Sequence, residues 1–343
     1  MAIITAVTKD KAGVRMILPV AEELRKRGHE ISVWAEGLSA AIWKKAGWEL
    51  QEEGPVDATR PVPLCPGFRA DAILAGLSFP NHWEDECSSF ANKHAIPIHW
   101  FEDTWGAHTR SKAVPTTIFV IDDIAKEIIA QEERFRTSTE VVVCGDPAMG
   151  EFAGVEERKA SRFRTLQNQR ISILFSGQGE HTAEMLQFLL LSVADDREPV
   201  MIIPRFHPKY ASKPFAATWA IQLELFASFR KDMLEDPADF TTDELASLCD
   251  ITVSCFGTSL RIAAQCARVP VSIKGPMAQR AMVENSGLYT YPLVTVGAAI
   301  QTLGRFSISD ALARREELRE AQKRYLNAPV FDPARCADVI ERL

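Results

Sequence analysis

The feature that most constrains this chain is an alternation of short β-branched runs with helical periodicity, already complete within its first 35 residues. Residues 3–7 (Ile-Ile-Thr-Ala-Val) read as a strand, and a polar turn, Thr8-Lys9-Asp10-Lys11-Ala12-Gly13, follows. Met16, Ile17, Val20, Ala21 and Leu24 then recur as the stripe of a helix that buries one face. Pro19 lies inside that stripe, so the helix either bends there or begins there. Gly28 stops it, and residues 30–35 open a second strand. Strand, helix, strand is the building block of a parallel sheet.

The alternation persists. Strand patterns at 71–77, 96–101, 116–121 and 140–144 are interleaved with helical patterns at 83–94 and 123–135. Residues 149–169 are polar and charged and read as a linker with a short helix. A second series follows, with strands at 170–176, 200–204, 251–254 and 269–273 and helices at 182–194, 242–248 and 258–267. Helical patterns at 308–326 and 333–343 close the chain. The expected fold class is α/β, two Rossmann-like domains with mostly parallel sheets facing a cleft. The expected domains are 1–158 and 159–343; a length of 343 residues suits two domains.

Composition narrows the partners. Acidic residues outnumber basic ones, 46 to 39, for a net charge of −7, which argues against nucleic acid. Hydrophobic residues make up 46% of the chain, yet no apolar run reaches the roughly 20 residues that cross a bilayer, so no transmembrane segment is expected. The N-terminus lacks the pattern of a secretory leader. Seven scattered cysteines form no C-x-x-C pair and suit buried positions in a reducing compartment. The expected location is the cytoplasm.

In open parallel sheets, ligands bind beyond the carboxyl ends of the strands. No G-x-G-x-x-G or G-x-x-x-x-G-K-[ST] follows any strand, which disfavours NAD, FAD and P-loop nucleotide binding. Three other strand-end loops suit phosphate. Cys255-Phe256-Gly257-Thr258-Ser259 leads into a helix, bringing backbone N–H groups and two hydroxyls to a helix N-terminus. Ser176-Gly177-Gln178-Gly179 carries glycines that allow close backbone approach. Arg205-Phe206-His207-Pro208-Lys209 supplies a guanidinium, an imidazole and an ammonium. The first has a plainer explanation as a helix cap with a tight glycine turn, and the third as solvated cations with His207 packed under Pro208.

Earlier in the chain, Trp100-Phe101-Glu102-Asp103-Thr104-Trp105-Gly106-Ala107-His108 follows a strand. An acidic pair there suits a general base, and flanking Trp and His suit a sugar-stacking surface. A helix cap at Asp103 and core tryptophans fit the same pattern. His29 reads as a partner for a helix C-terminus, Asp122-Asp123 as a helix N-cap and Glu132-Glu133 as a solvated face.

These residues resemble the GT-B glycosyltransferase superfamily. The opening, especially Leu18-Pro19-Val20-Ala21-Glu22-Glu23-Leu24 and Arg27-Gly28-His29-Glu30, looks like the first strand–loop–helix–strand of those enzymes. Cys249-Asp250-Ile251-Thr252-Val253-Ser254, with Gly257, Pro270, Gln279 and Gly287, is similar to the phosphate-binding region of the peptidoglycan N-acetylglucosaminyltransferase. Ala263 departs from it, standing where enzymes of that type carry a ribose-contacting Glu. Glu102-Asp103, His207-Pro208 and Thr258-Ser259 follow the order of motifs in bacterial GT-B sialyltransferases, although Gly106 comes two residues late. Non-hydrolysing sugar-nucleotide epimerases share the fold, and Gly145-Asp146-Pro147 resembles their interdomain turn.

The resemblance implies a metal-independent glycosyltransferase that moves a sugar from a nucleotide-sugar donor to an acceptor hydroxyl, with no further cofactor. A sugar-nucleotide epimerase and a non-catalytic nucleotide-binding protein are the alternatives. Expected catalytic residues are Glu102, Asp103 and His207. Expected nucleotide or phosphate ligands are Ser176, Gly177, Gly179, Arg205, His207, Gly257, Thr258 and Ser259. Gly13, Trp105, His108 and Gln279 are expected at the acceptor site or cleft. The partners are a nucleotide-sugar and a small-molecule or glycan acceptor.

Overall fold

The computed structural model describes residues 1–53, 68–79, 83–150, 155–195, 198–207, 210, 213–214, 216–327 and 329–342. The chain forms two compact units. The first contains residues 1–151, 285–287 and 328–343; the second contains 152–284 and 288–327. The division near residue 151 precedes the expected one at 158. The final stretch returns to the first unit rather than staying in a second domain of 159–343.

In the first unit the strands are β1 (Ile3–Thr8), β2 (Glu30–Ala35), β3 (Glu52–Glu53), β4 (Ala72–Ala75), β5 (Ile98–Glu102), β6 (Thr117–Val120) and β7 (Glu140–Val143). They form one parallel sheet in the order β3-β2-β1-β4-β5-β6-β7. The order reverses beside β1, which pairs with β2 on one side and β4 on the other. The loops after β1 and β4 therefore edge the sheet's switch point, where open α/β sheets take ligands.

Helix Lys11–Lys26 runs unbroken through Pro19, buries Met16, Ile17, Val20 and Leu24, and starts at Asp10, whose carboxylate accepts the Gly13 N–H at 2.8 Å. Helix Pro333–Ile340 packs against it. Arg27 links the two helices, reaching Asp338 at 2.7 Å and Glu341 at 2.8 Å. His29 bonds Glu341, the residue that caps the C-terminus of this last helix, at 2.9 Å. Asp332 N–H donates to the Cys144 carbonyl at the end of β7.

In the second unit the strands are β8 (Ile171–Gly177), β9 (Val200–Phe206), β10 (Ile251–Ser254), β11 (Val269–Ile273) and β12 (Ile300–Thr302), all parallel, in the order β12-β11-β10-β8-β9. Here the switch point lies between β8 and β10. Helix Ala216–Arg230, within a segment whose pattern is mixed, follows β9. Among the described residues no helix is long and apolar enough to cross a membrane.

Candidate functional site

The second unit's switch point gathers most of the expected phosphate-binding residues. Ser254 Oγ donates to the Ser176 carbonyl at 2.8 Å and to the Phe256 carbonyl at 3.1 Å, tying the ends of β8 and β10 together. Gly177 is held tightly: a Cβ there would sit 2.5 Å from Thr182 Cγ2 and 3.0 Å from the Phe206 ring. Gly257 opens helix Thr258–Gln265 with φ +117° and ψ 178°, a conformation open to glycine almost alone. Its carbonyl accepts the Tyr291 hydroxyl at 2.8 Å.

Three polar atoms at this edge are buried and have no partner among the described residues: His181 Nε2, Thr182 Oγ1 and Ser259 Oγ. Thr182 and Ser259 lie in the first turns of helices Thr182–Asp195 and Thr258–Gln265. First-turn N–H groups have no partner within their own helix, and the helix dipole adds positive potential there. His181 stacks on Phe256 with ring centroids 5.7 Å apart. Burial pushes its imidazole down to about 4, so near neutrality it is uncharged. By contrast, the N-terminus of helix Pro276–Ser286 is already capped by Glu184, which accepts the Ala278 N–H at 3.2 Å.

Gln178 lies over Gly257, its amide nitrogen 2.6 Å from where a Cβ would stand, and donates to the Phe256 carbonyl at 3.3 Å. A long, neutral bond of this kind is readily exchanged for a ligand contact. The sequence singled out neither His181 nor Thr182, although both lie within three residues of the Gly177-Gln178-Gly179 turn that it did.

The third loop differs from expectation. The Arg205 guanidinium donates to Asp236 at 2.7 Å and to the Pro237 carbonyl at 2.9 Å, so it braces β9 against the following segment rather than standing ready for phosphate. His207 is exposed, its ring edge-on to Tyr210 at 5.7 Å, and its N–H donates to the Gly177 carbonyl at 3.0 Å. Pro208 and Lys209 lie outside the described residues. Gln279 is half-buried on helix Pro276–Ser286, where its N–H donates to the Gly275 carbonyl at 2.8 Å.

In the first unit, Glu102 ends β5 and is fully buried. It accepts the Gly106 N–H at 2.9 Å, the His108 N–H at 3.1 Å and a bond with His108 Nδ1 at 2.8 Å. Both carboxylate oxygens of this expected catalytic residue are thus spent on shaping the loop that follows. His108 is also core, edge-on to Phe135 at 5.8 Å. Trp105 is buried too, its indole N–H donating to Asp122 at 2.9 Å, so it offers no surface for a sugar to stack on. Asp122 caps helix Asp123–Ala130 as expected. Asp103 is half-buried in the turn after Glu102.

Gly13 is buried at the first sheet's switch point, 3.4 Å from Gly76 Cα as measured from an added Cβ. Beside it stands Glu84, which the sequence hides among three consecutive acidic residues in the first turn of helix Trp83–His94. Among the described residues no three His, Cys, Asp or Glu side chains gather to hold a metal ion.

Both units are parallel sheets with a switch point, and solved structures repeat this plan over the whole chain. The S. aureus MnaA–UDP complex matches with a TM-score of 0.66 at 13% identity, covering 99% of this chain and 96% of that one. The glycosyltransferase from Rickettsia africae ESF-5 matches at 0.66 with 11% identity, covering 99% and 98%. The fold is of the GT-B type. The UDP-GlcNAc 2-epimerase from Neisseria meningitidis, bound to UDP-GlcNAc, shares it at a TM-score of 0.62 and 11% identity, covering 99% and 98%. No family model and no curated protein sequence matches the chain.

Proposed function

We propose that this GT-B-type chain is an enzyme acting on a nucleotide-sugar, and that the reaction is transfer of the sugar to an acceptor hydroxyl. The observation that carries this reading is the trio of unbonded buried groups, His181 Nε2, Thr182 Oγ1 and Ser259 Oγ, at two helix N-termini on the second sheet's switch point. A diphosphate supplies the acceptors those donors lack, and its charge suits the two helix ends. Gln178 moves aside or turns its amide to the ligand. His207 and Thr258 add further donors at the same edge.

The chemistry asked of the site is modest. The acceptor oxygen forms a bond to the anomeric carbon while the bond from that carbon to the nucleotide phosphate breaks, its electrons passing to the phosphate oxygen. Backbone N–H groups and hydroxyls stabilise the charge that develops there without need of a metal. The acceptor proton passes to a carboxylate acting as general base. Asp103 is the member of the acidic pair assigned to it, with Glu102 fixing the turn that carries Asp103.

The test is calorimetric titration of the purified chain with UDP, CDP, CMP, GDP and TDP, repeated with a Thr182→Val, Ser259→Ala double variant. Binding of one nucleotide, weakened in the variant, supports the site. No binding of any nucleotide overturns the reading. Epimerisation is the second reading, favoured by the full-length match to a solved 2-epimerase. Incubation with the bound sugar nucleotide alone separates the two: a new sugar nucleotide formed without acceptor means epimerisation. Binding without turnover under either condition means a nucleotide-binding protein.

A further inference from the structure

The first sheet's switch point holds a carboxyl group that has no part in nucleotide binding. Glu84 is completely buried in the first turn of helix Trp83–His94. Its Oε1 accepts the Ser78 hydroxyl at 2.6 Å and the Lys9 N–H at 3.2 Å; its Oε2 has no partner among the described residues. Lys9 belongs to the loop after β1 and Ser78 to the loop after β4. One oxygen therefore spans the two strands that flank the switch point. Gly13 and Gly76 let these loops close up, since a Cβ on Gly76 would lie 3.3 Å from that same oxygen.

Among the described residues no cation bonds the group; the Arg110 guanidinium, which reaches the loop after β4, is taken up by the Leu77 and Asn285 carbonyls. The Lys9 ammonium turns to Glu36 at 3.2 Å. Asp10, on the same loop, is a negative neighbour. On its own helix Asp85 receives the Ser111 hydroxyl, and Glu86 adds another negative charge. From β5, Glu102 and His108 are bonded to each other. The loop after β4, Gly76-Leu77-Ser78-Phe79, carries no charged side chain. Burial, with Asp10 adding to it, raises the Glu84 carboxyl to about 7.

We propose that Glu84 is a proton-controlled clasp between the loops after β1 and β4, its protonation state setting how firmly the two edges of the first sheet's ligand crevice are held together. Ionised, it accepts two charge-assisted hydrogen bonds; protonated, it holds the same donors through neutral bonds roughly half as strong. The proposal does not rest on the nucleotide reading, because the clasp lies in the other unit and its test uses no ligand.

The experiment follows the backbone amide resonances of Lys9 and Ser78 in the isotope-labelled full chain from about pH 5 to about pH 9. Both should titrate with one midpoint near 7. In Glu84→Gln that titration should vanish. Ser78→Ala, which removes a bond favouring the ionised form, should raise the midpoint by about one pH unit, a tenfold change in proton affinity. A midpoint in the ordinary carboxylate range overturns the proposal, as does a neutral midpoint that survives in Glu84→Gln. Should Glu84→Gln fail to fold, Ser78→Ala decides alone: an unmoved midpoint overturns the proposal.

Discussion

Glu102 Oε2 and His108 Nδ1 lie 2.8 Å apart with both side chains buried, and the same carboxylate takes the N–H groups of Gly106 and His108. The loop after β5 is thus wound around one side chain. Glu102→Ala should lower the unfolding free energy by about 2–4 kcal/mol, because three buried donors lose their acceptor together. Chemical denaturation checks this. A loss under about 0.5 kcal/mol would return Glu102 to the list of candidate bases.

Ser259 presents the opposite case, a buried hydroxyl with no partner among the described residues. Ser259→Ala should leave stability unchanged or raise it by about 1 kcal/mol, since an unsatisfied polar group leaves the interior. Nucleotide affinity should fall about tenfold, equivalent to about 1.4 kcal/mol. Thermal melting and calorimetry on the same variant give both numbers. A stability loss with unchanged affinity would make the residue purely structural.

Gly257→Ala meets two obstacles at once. The backbone sits where side-chain-bearing residues are strained by about 1–3 kcal/mol. The new methyl would also strike the Gln178 amide. The expected result is a lower melting temperature together with lost nucleotide binding, and Gln178→Ala in the same background should recover part of the stability.

Acid should destabilise the protein through His99 and His181. Burial holds both imidazoles at about 4 against an ordinary 6.5. Between those values the unfolded chain takes up protons that the folded chain refuses, so stability falls as pH drops through that window. The loss reaches roughly 3 kcal/mol for each residue once pH is below 4. His99→Leu should flatten the acid limb of a melting-temperature profile.

Glu84 works in the other direction. Its folded-state value of about 7 exceeds the ordinary 4.5, so the stability it contributes is complete below 4.5 and is lost as pH rises through 7. Glu84→Gln should remove that decline between about 4.5 and 7 while leaving the histidine-driven acid limb in place.

Much of this architecture is legible in the residues themselves. The stripe from Met16 to Leu24 and the β-branched runs mark the first β-α-β unit, because their periods differ and turn residues separate them. Helix Ala216–Arg230 escapes the same logic: apolar residues such as Trp219, Ile221, Leu225 and Phe226 lie all around it, so no polar face marks a period. Strand β12, three residues long, is too short to show alternation.

The candidate site is harder to read for a different reason. An acidic pair at a strand end has the same spelling whether its first carboxylate faces solvent or is folded inward onto Gly106 and His108. Glu84, followed by Asp85 and Glu86, looks like one of three carboxylates complementing a helix dipole; only burial singles it out. Arg205 reads as a phosphate ligand until Asp236, thirty-one positions later, is found against it. Spacing carries the turns; it does not carry which side chain turns inward.

The return of helix Pro333–Ile340 onto helix Lys11–Lys26 sets the order in which this molecule can be finished as it is made. N-terminal regions ordinarily fold while the ribosome is still extending the chain. Here the first helix waits for a companion synthesised some three hundred residues later. The second unit can close before the first is complete, and until helix Pro333–Ile340 emerges, the growing protein carries an uncovered apolar flank on its first helix.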